Sequence, residues 1–504
     1  METILIIEDD PDIQVLLKTY LRKANYQVSF APTLALGVER MTQLSPALVL
    51  LDIHLPDGNG LDLLPQLAAD STPVVMLTAE SSSLEQAFAL GAVDYLQKPV
   101  VKGELLARVN RIIANRRLHQ EQDKLLLELQ ADLALATQVQ QLSLPHITSP
   151  DAPLAVEWIY RPLTTISGDL LAVSAPTEHS RYFCLGDVSG HGMAAALVMM
   201  ALRSAFDSLV KMAPRAPWEM MRDLSERMKN LLDRHYITLV IGHLDLESGY
   251  LQICNAGHPP VLLRRAGQIL TLQGKTGMPM GIQAPEQLGP EYDFHTPLMP
   301  GDELLLCSDG LFEMGQYKTK QGFEALQTCF ANCQSPSLSD TAQQLVSGLQ
   351  AEQLPSDDLS LLILKLQTLT FKVKTAVNAE AMEMAGEDLK LWLLQIKCNQ
   401  RKIEQMSLIW LEYSNNVLIH SQASQLELEA RFDPTGLTLV FRDNGQAWAV
   451  DSDLGLPDPL AESGRGLWLI QQLSQGFQLT RKNNLNHLEL TCTQLTQMET
   501  FTDV

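Results

Sequence analysis

The sequence predicts a multidomain α/β and α+β protein, and three observations carry that expectation. The chain has 504 residues, several times what one hydrophobic core organises at roughly 100 to 200 residues per domain. Its first part alternates short apolar runs with helical spacing, its middle is rich in short β-type runs, and its last part returns to helices followed by strands. Hydrophobic residues make up 46% and charged residues 19%, globular proportions that exclude a fibrous or largely disordered chain.

Charge narrows the function classes. Lys plus Arg total 37 against 59 Asp plus Glu, a net charge of −22. That field opposes a phosphate backbone or an anionic lipid surface, so neither nucleic acid nor membrane is expected as a partner. The start, METILIIEDDP, has no basic residue before its apolar run and meets acids straight after it, unlike a signal peptide. The longest apolar stretch, 194–202, stops at Arg203, short of the roughly 20 residues a membrane helix requires. A cytoplasmic protein with reduced thiols is expected, because the seven cysteines include no CxxC pair. Cys329 and Cys333 read as helix packing, since no partnering His/Cys pair follows them.

In residues 1–118 the runs TILIIE, ALVLLD and PVVMLTA predict buried parallel strands of a doubly wound sheet. Ligands of such sheets bind at the carboxyl ends of the strands. Glu8, Asp9 and Asp10 close TILIIE and follow it, Asp52 ends ALVLLD and Thr78 stands near the end of PVVMLTA, while Lys98 and Pro99 close DYLQKP. Adjacent carboxylates there repel one another and call for a hard, oxygen-ligated cation such as Mg²⁺. On these residues the segment resembles the CheY-like receiver domains of response regulators. The resemblance implies that Asp52 is the phosphoacceptor, that Glu8, Asp9, Asp52 and the His54 carbonyl hold Mg²⁺, and that Thr78 and Lys98 hold the phosphoryl oxygens. A carboxylate nucleophile beside a cation and an ammonium is chemically suited to that transfer. Tyr95 is either the aromatic whose rotamer follows Thr78 or a packed edge side chain.

Residues 119–150 are expected to form a helical linker, because helix formers run almost unbroken to Pro145 and Leu126, Leu129, Leu133, Ala136 and Val139 recur at three- and four-residue steps. Such a stripe is covered either by a second copy in a coiled-coil homodimer or by a neighbouring domain. Pro145, Pro150 and Pro153 mark entry to the next domain.

Residues 151–368 carry the strand-like runs RYFCLGDV, ITLVIGHLDL, YLQICNAG, DELLLCSDG and LSLLILKL, with helical stretches near 193–212 and 218–234, which suggests packed sheets with helical layers. Acids stand at strand ends in SGD (Asp169), GDVSGHG (Asp187), SDG (Asp309) and DD (Asp357, Asp358), and each alone reads equally as a turn Asp. Their order, with NAGHPP and GMPMGI, resembles the SpoIIE-like branch of the PPM-type serine/threonine phosphatases, a β-sandwich with flanking helices. The resemblance implies that Asp169, Asp187, Asp309, Asp357 and the Val188 carbonyl bind two Mn²⁺ or Mg²⁺ ions. Two bridged ions lower the pKa of bound water and clamp the phosphoryl group for in-line attack. The chain departs from the pattern at Ala172, where the family often has an acid, and at Ser167, where it has Gly. His258 is either an acid near the leaving group or a loop-stabilising residue, and Asp358 either supports the metal shell or caps a strand.

Residues 369–504 begin with helical stretches at 379–396 and 406–420, then the strands LELEARF and LTLVFRD. Glu412, Asn416 and His420 are spaced i, i+4, i+8, which puts them on one helix face. DNG (Asp443, Gly445) and GRGLWLI (Gly464, Gly466) follow. The set resembles the ATP-binding α/β sandwich of histidine kinases and gyrases, in the compact form of RsbW-like anti-sigma-factor serine kinases. The resemblance implies ATP as cofactor, Asn416 on its Mg²⁺, Asp443 on the adenine amino group, Gly445, Gly464 and Gly466 on the phosphate side, and Glu412 as the kinase base. Together the three segments resemble partner-switching response regulators. That resemblance implies a sensor histidine kinase, a STAS-domain anti-sigma-factor antagonist and an anti-sigma or sigma factor as partners. The rival reading makes the C-terminal domain a non-catalytic ATP- or protein-binding module.

Overall fold

The structure is a computed structural model that describes residues 2–69, 72–79, 84–148, 152–175, 179–190, 192–212, 214–232, 235–313, 319–333, 335, 337–349, 357–447 and 465–493. The chain divides into two compact units, Met1–Asp132 and Leu133–Val504.

The first unit holds a five-stranded parallel sheet in the order Gln27–Ala31, Thr3–Ile7, Leu48–Asp52, Val74–Thr78, Asp94–Gln97. Alternate residues of each apolar run point to opposite faces. Leu5, Ile7, Val49, Leu51, Val74 and Met76 fill one core, while Ile4, Ile6, Leu48, Leu50, Val75 and Leu77 fill the other. Strand order reverses beside Thr3–Ile7, so a crevice opens at the carboxyl ends of Thr3–Ile7 and Leu48–Asp52. The helix Lys102–Leu142 is longer than the linker expectation and begins inside the first unit's core, with Leu105, Val109 and Ile113 buried.

The second unit begins with two antiparallel five-stranded sheets stacked face to face. One runs Asp293–Pro297, Tyr250–Ala256, Ile237–Asp245, Ser180–Val188, Asp169–Val173. The other runs Gln268–Leu272, Val261–Arg265, Glu303–Cys307, Leu359–Leu366, Leu154–Arg161. Phe183, Leu185, Val240 and Ile253 of the first meet Val156, Leu263, Leu304, Leu306, Leu362 and Leu364 of the second. The first sheet's outer face is covered by Met193–Val210 and Pro217–Met228, and the second's by Thr319–Asn332 and Leu338–Leu349. Thr319–Asn332 contains Cys329, where helix packing is expected, whereas Leu338–Leu349 has its apolar spacing interrupted by Ser339, Ser347 and Gly348 and lies outside the helical stretches the sequence marks. Cys329 and Cys333 pack in that outer layer as expected, and all seven cysteines are free. Met193–Val210 is, among the described residues, the helix whose length and mean hydropathy of 1.5 pass for a membrane span. Its Val198, Met199, Leu202, Phe206 and Leu209 are instead buried against the sheet, which accounts for its apolar composition.

Only Gln367 and Thr368 separate the last sandwich strand from the next sheet, whose order is Leu369–Ala376, Gln425–Asp433, Gly436–Asp443, Leu485–Cys492, Gly476–Lys482. Ala379–Gln395, Gln400–Asn416 and Arg465–Leu473 accompany it. Gly386 lets the first two helices cross closely, since a Cβ there would lie 2.7 Å from Trp410 Nε1. The sandwich core continues unbroken into this domain, where Leu246, Leu251, Leu298 and Leu366 join Leu369, Met382, Leu389, Trp392 and Leu393. Trp392 stacks on Phe371 at 5.5 Å and donates from Nε1 to the Glu247 carbonyl at 2.7 Å.

A shared core predicts shared melting. Trp392→Ala should cost about 3 to 5 kcal/mol and lower one calorimetric transition that includes both the sandwich and the C-terminal domain. Separate transitions for the two, with only one displaced, would contradict a continuous core.

Candidate functional sites

At the crevice of the parallel sheet, Glu8 and Asp52 are buried and Lys98 joins them, its Nζ 2.8 Å from Glu8 Oε2 and 2.9 Å from Asp52 Oδ2. Asp9 is exposed at the rim, and ligand oxygens of Glu8, Asp9 and Asp52 all lie within 4.8 Å of one another. Burial raises the Glu8 pKa, with Lys98 opposing and Asp52 adding to the rise. Lys98 is raised by Glu8 and Asp52 against the opposing effect of its own burial. Thr78 ends its strand, buried, and its carbonyl accepts from Lys98 N at 2.8 Å. His54 is exposed and opens a short hairpin just after Asp52. Gly60 closes that loop where no side chain fits, since its Cβ would stand 2.0 Å from the Asp52 carbonyl oxygen. Tyr95 is half-buried, edge-on to Phe88 at 6.2 Å and under the Arg108 guanidinium. Three carboxylates facing one ammonium leave negative charge over, so the donor set fits a hard divalent cation.

The sandwich collects its acids at one end. Asp169 opens its strand and pairs in register with Asp187 of the neighbour. Across the sandwich, Asp309 follows Glu303–Cys307, and Asp357 and Asp358 precede Leu359–Leu366. Asp169 is buried with its Oδ2 lacking a hydrogen-bond partner. Its pKa is raised well above the usual range by burial and then by Asp187. Asp187 is pushed up to about 7 by burial and by Asp309 and Asp357. Asp309 is raised by burial and by Glu313 and Asp357. Asp357 is exposed, and the Val188 backbone lies over the Gly168 turn, with Val188 N donating to the Gly168 carbonyl at 3.3 Å. Buried acids that raise one another, one with an unpartnered oxygen, fit a divalent-cation centre.

Asp358 has a different geometry. Its Oδ1 accepts from Leu163 N at 2.7 Å and its Oδ2 from Gly168 N at 2.9 Å, so it ties the loop before Asp169 to the opposite sheet. Gly310 of SDG is needed for close approach, because its Cβ would stand 2.0 Å from the Asp358 carbonyl oxygen. His258 is buried, its Nδ1 3.0 Å from Thr238 Oγ1, and Asn255 bridges its peptide N–H and carbonyl. Burial lowers its pKa to about 3, so it holds its loop as a neutral imidazole. A cleft of about 470 Å³ beside Asp187 and Asp309 is lined also by His258, Phe312, Glu313 and Lys320. Glu313 was not singled out from sequence. Its i+4 spacing after Asp309, closed by a 2.7 Å backbone bond, is the signal that could have found it.

In the C-terminal domain Glu412 and Asn416 share a helix face, each half-buried, and Asn416 Nδ2 is buried without a partner. Gly466 lies against both, since a Cβ there would come 2.8 Å from Asn416 Nδ2 and 2.9 Å from Glu412 Oε2. Gly464 falls outside the described residues. The expected three-residue ladder is corrected at His420. The α-helix ends at Asn416 and Val417–Ser421 winds as a π-turn, so four further residues no longer complete one turn, and His420 is exposed. Asp443 is buried, accepting from Tyr413 Oη at 2.9 Å on Oδ2 and from Gly445 N and Asn486 Nδ2 at 2.9 Å on Oδ1. Gly445 is required where its Cβ would stand 2.3 Å from the Ser421 carbonyl oxygen. Asn486 was missed because it lies 43 residues from Asp443 and belongs to no motif. The unpartnered Asn416 amide beside Glu412 and a side-chain-free Gly466 fits a nucleotide with its cation.

Comparison with known proteins assigns all three modules. Family models match for the response regulator receiver domain over residues 4–110, Stage II sporulation protein E (SpoIIE) over 177–367 and the histidine kinase-like ATPase domain over 375–492. The DNA-binding response regulator MtrA of Mycolicibacterium smegmatis is 38% identical over 111 residues, 21% of this chain and 49% of that protein. The KDP operon transcriptional regulatory protein KdpE of Escherichia coli is 38% identical over 112 residues, 22% of this chain and 50% of that protein. The chain thus spans about half the length of the curated relatives it matches. The crystal structure of the RsbU and RsbW domains of Rv1364c from Mycobacterium tuberculosis is 21% identical, with a TM-score of 0.38, covering 68% of this chain and 95% of that one. The chain therefore carries a response regulator receiver domain, a SpoIIE-type phosphatase domain and a histidine kinase-like ATPase domain in that order.

Proposed function

We propose that this chain works in a partner-switching system, where phosphorylation of Asp52 by a sensor histidine kinase governs a metal-dependent serine phosphatase and an ATP-dependent serine kinase. Both act on one serine of a STAS-domain anti-sigma-factor antagonist, and so set sigma-factor activity. The observation that carries the reading is the set of acids at one end of the sandwich, Asp169, Asp187 and Asp309, each raised by burial and by at least two neighbouring acids.

In this reading an Asp52 oxygen attacks the donor's phosphorus as the P–N bond to the sensor kinase's histidine breaks and the imidazole leaves, Lys98 balances the added charge, Thr78 turns toward the product, and Glu8, Asp9, Asp52 and the His54 carbonyl would hold Mg²⁺. Asp169, Asp187, Asp309, Asp357 and the Val188 carbonyl hold two Mn²⁺ or Mg²⁺ ions, which when bound supply water of lowered pKa and neutralise phosphoryl charge. The cleft beside Asp187 and Asp309 admits the phosphoserine, with His258 holding its wall as a neutral group. Glu412 takes the proton from the substrate hydroxyl, and Asn416, Asp443, Gly445, Gly464 and Gly466 hold ATP and its Mg²⁺. One observation favours the second reading, a non-catalytic ATP- or protein-binding C-terminal domain: both Asp443 oxygens already accept bonds from within the protein. A homodimer through the long helix is supported by the exposure of Leu118, Leu125, Leu126, Leu127, Leu129 and Leu135.

Three outcomes are expected. Acetyl phosphate should change the rate at which phosphate leaves a phosphorylated STAS partner, and Asp52→Ala should abolish that change; an equal response from the variant would sink the coupling. Asn416→Ala should abolish partner phosphorylation from Mg-ATP while leaving dephosphorylation intact, whereas absence of transfer already in the unmodified chain selects the second reading.

The third concerns pH. Asp187 moves from the ordinary aspartate value of 3.8 to about 7 in the fold, so the metal-free protein holds that proton more tightly than the unfolded chain does. The associated stability is present at acid pH and is lost as pH rises toward about 7. A cation that takes the proton's place reverses the loss. The rise in Tm on adding Mn²⁺ should therefore grow between pH 5.5 and 8, and Asp187→Asn should flatten it; a pH-independent Mn²⁺ effect would count against these ligands.

A further inference from the structure

The cleft of about 470 Å³ at the acid end of the sandwich is lined by three acids, Asp187, Asp309 and Glu313, and by the cation Lys320. His258, the other lining group able to carry positive charge, is held neutral by its burial. Of the described residues that line the cleft, Lys320 alone can therefore meet an anion with opposite charge. That charge is also unspent. Lys275 and Lys365 are paired with Glu291 and Glu303, whereas Lys320 is exposed and makes no ion pair or hydrogen bond among the described residues.

The turn that begins at Asp309 also fixes where Lys320 stands. Phe312 N and Glu313 N both donate to the Asp309 carbonyl, at 2.9 and 2.7 Å. The helix Thr319–Asn332 seats on that turn through Gly322, where a Cβ would lie 2.0 Å from the Phe312 carbonyl oxygen. It seats also through Phe323, edge-on to Phe312 with ring centroids 5.6 Å apart. Lys320 precedes Phe323 by three residues, which puts both on one helix face, and both line the cleft. The contacts that seat the helix thus bring an ammonium to the cleft that Asp309 enters from its strand end.

We propose that Lys320 is the phosphate-binding cation of this cleft, where its ammonium meets the phosphoryl oxygens of a phosphoserine side chain. A lysine suits that task as a compact charge on a flexible stem, whose three rotatable donors follow phosphoryl oxygens without requiring one fixed fork geometry. The acids stay available for cations, and Lys320 attracts and retains the dianion from the helix side. The proposal rests on the phosphatase reading for the serine that carries the phosphate, but not for the pairing of Lys320 with phosphate itself.

The test uses the full chain loaded with Mn²⁺ and inorganic phosphate as the calorimetric probe. Lys320→Gln should weaken phosphate binding about tenfold, the size expected when a hydrogen bond to a charged group is lost. It should raise KM for a phosphoserine peptide by a similar factor and leave Mn²⁺ affinity unchanged. Lys320→Arg, which keeps the charge, should recover most of both. Lys390→Gln makes the same change of charge on the C-terminal domain, where Lys390 pairs with Glu387, and should leave phosphate binding and KM as they are. If Lys320→Gln binds phosphate as tightly as Lys390→Gln does, the proposal is overturned, and a loss of phosphate that merely follows a loss of Mn²⁺ overturns it equally. If the unmodified chain binds phosphate but cleaves no phosphoserine, the phosphatase reading fails while the calorimetric comparison still decides the role of Lys320.

Discussion

Burying a carboxylate costs free energy unless something compensates it, and each of the three modules buries one at its site. The compensation differs, and with it the chemistry. Asp52 has an ammonium within 3 Å, Lys98, which also serves Glu8. Asp443 has a phenol, an amide and a peptide N–H. Asp169 has the Ser167 hydroxyl on its backbone N–H, the Tyr160 hydroxyl on its carbonyl and one carboxylate oxygen left without a partner. The first arrangement leaves a carboxylate neutralised by an ammonium, the second leaves one locked in an ordered hydrogen-bond network, and the third leaves an oxygen whose chemistry fits a cation.

The strand frameworks make these burials affordable in rigidity rather than in charge. In the parallel sheet, two fully apolar cores grip Thr3–Ile7 and Leu48–Asp52 from both faces, so the acids at their carboxyl ends sit on immobile stems. In the sandwich, opposed sheets bring Asp169 and Asp187 from one layer and Asp309 and Asp357 from the other to a common end. Asp358 and Ser308 stitch that end together, Ser308 N donating to the Ser360 carbonyl and Ser308 Oγ accepting from Ser360 N, each at 2.9 Å. The opposite end is where the C-terminal domain docks, through Leu246, Leu298, Leu369 and Trp392. The two ends of the sandwich therefore differ, with the cluster of acids at one and domain attachment at the other.

Close backbone approach explains why the glycines of the motifs cannot vary. Gly310 meets the Asp358 carbonyl, Gly445 the Ser421 carbonyl, and Gly466 the side chains of Glu412 and Asn416. In each case the glycine sits next to the chemistry because a second segment of chain, distant in sequence, passes over it. Motif and tertiary contact are thus one feature seen at two levels.

Much of this was legible before any coordinates. Alternating apolar runs determined the parallel sheet, and the acids that end those runs marked its site, because strand ends are positions the pattern itself identifies. The same logic placed Asp169, Asp187 and Asp309 at strand ends, and the helix period put Glu412 beside Asn416. Sequence could not show that Asp358 ties a loop rather than joining Asp357, since that depends on Leu163 and Gly168 folding back from another sheet. Nor could it show that His420 leaves the Asn416 face, because a π-turn is a local widening that residue spacing does not announce. Asn486 was equally invisible, a single amide whose partner lies 43 residues away. The sequence by itself determined which elements form and which residues end them, because those follow from local periodicity. Only the tertiary structure decided which polar groups those ends are held by, because hydrogen-bond partners are chosen by packing between segments and not by position along the chain.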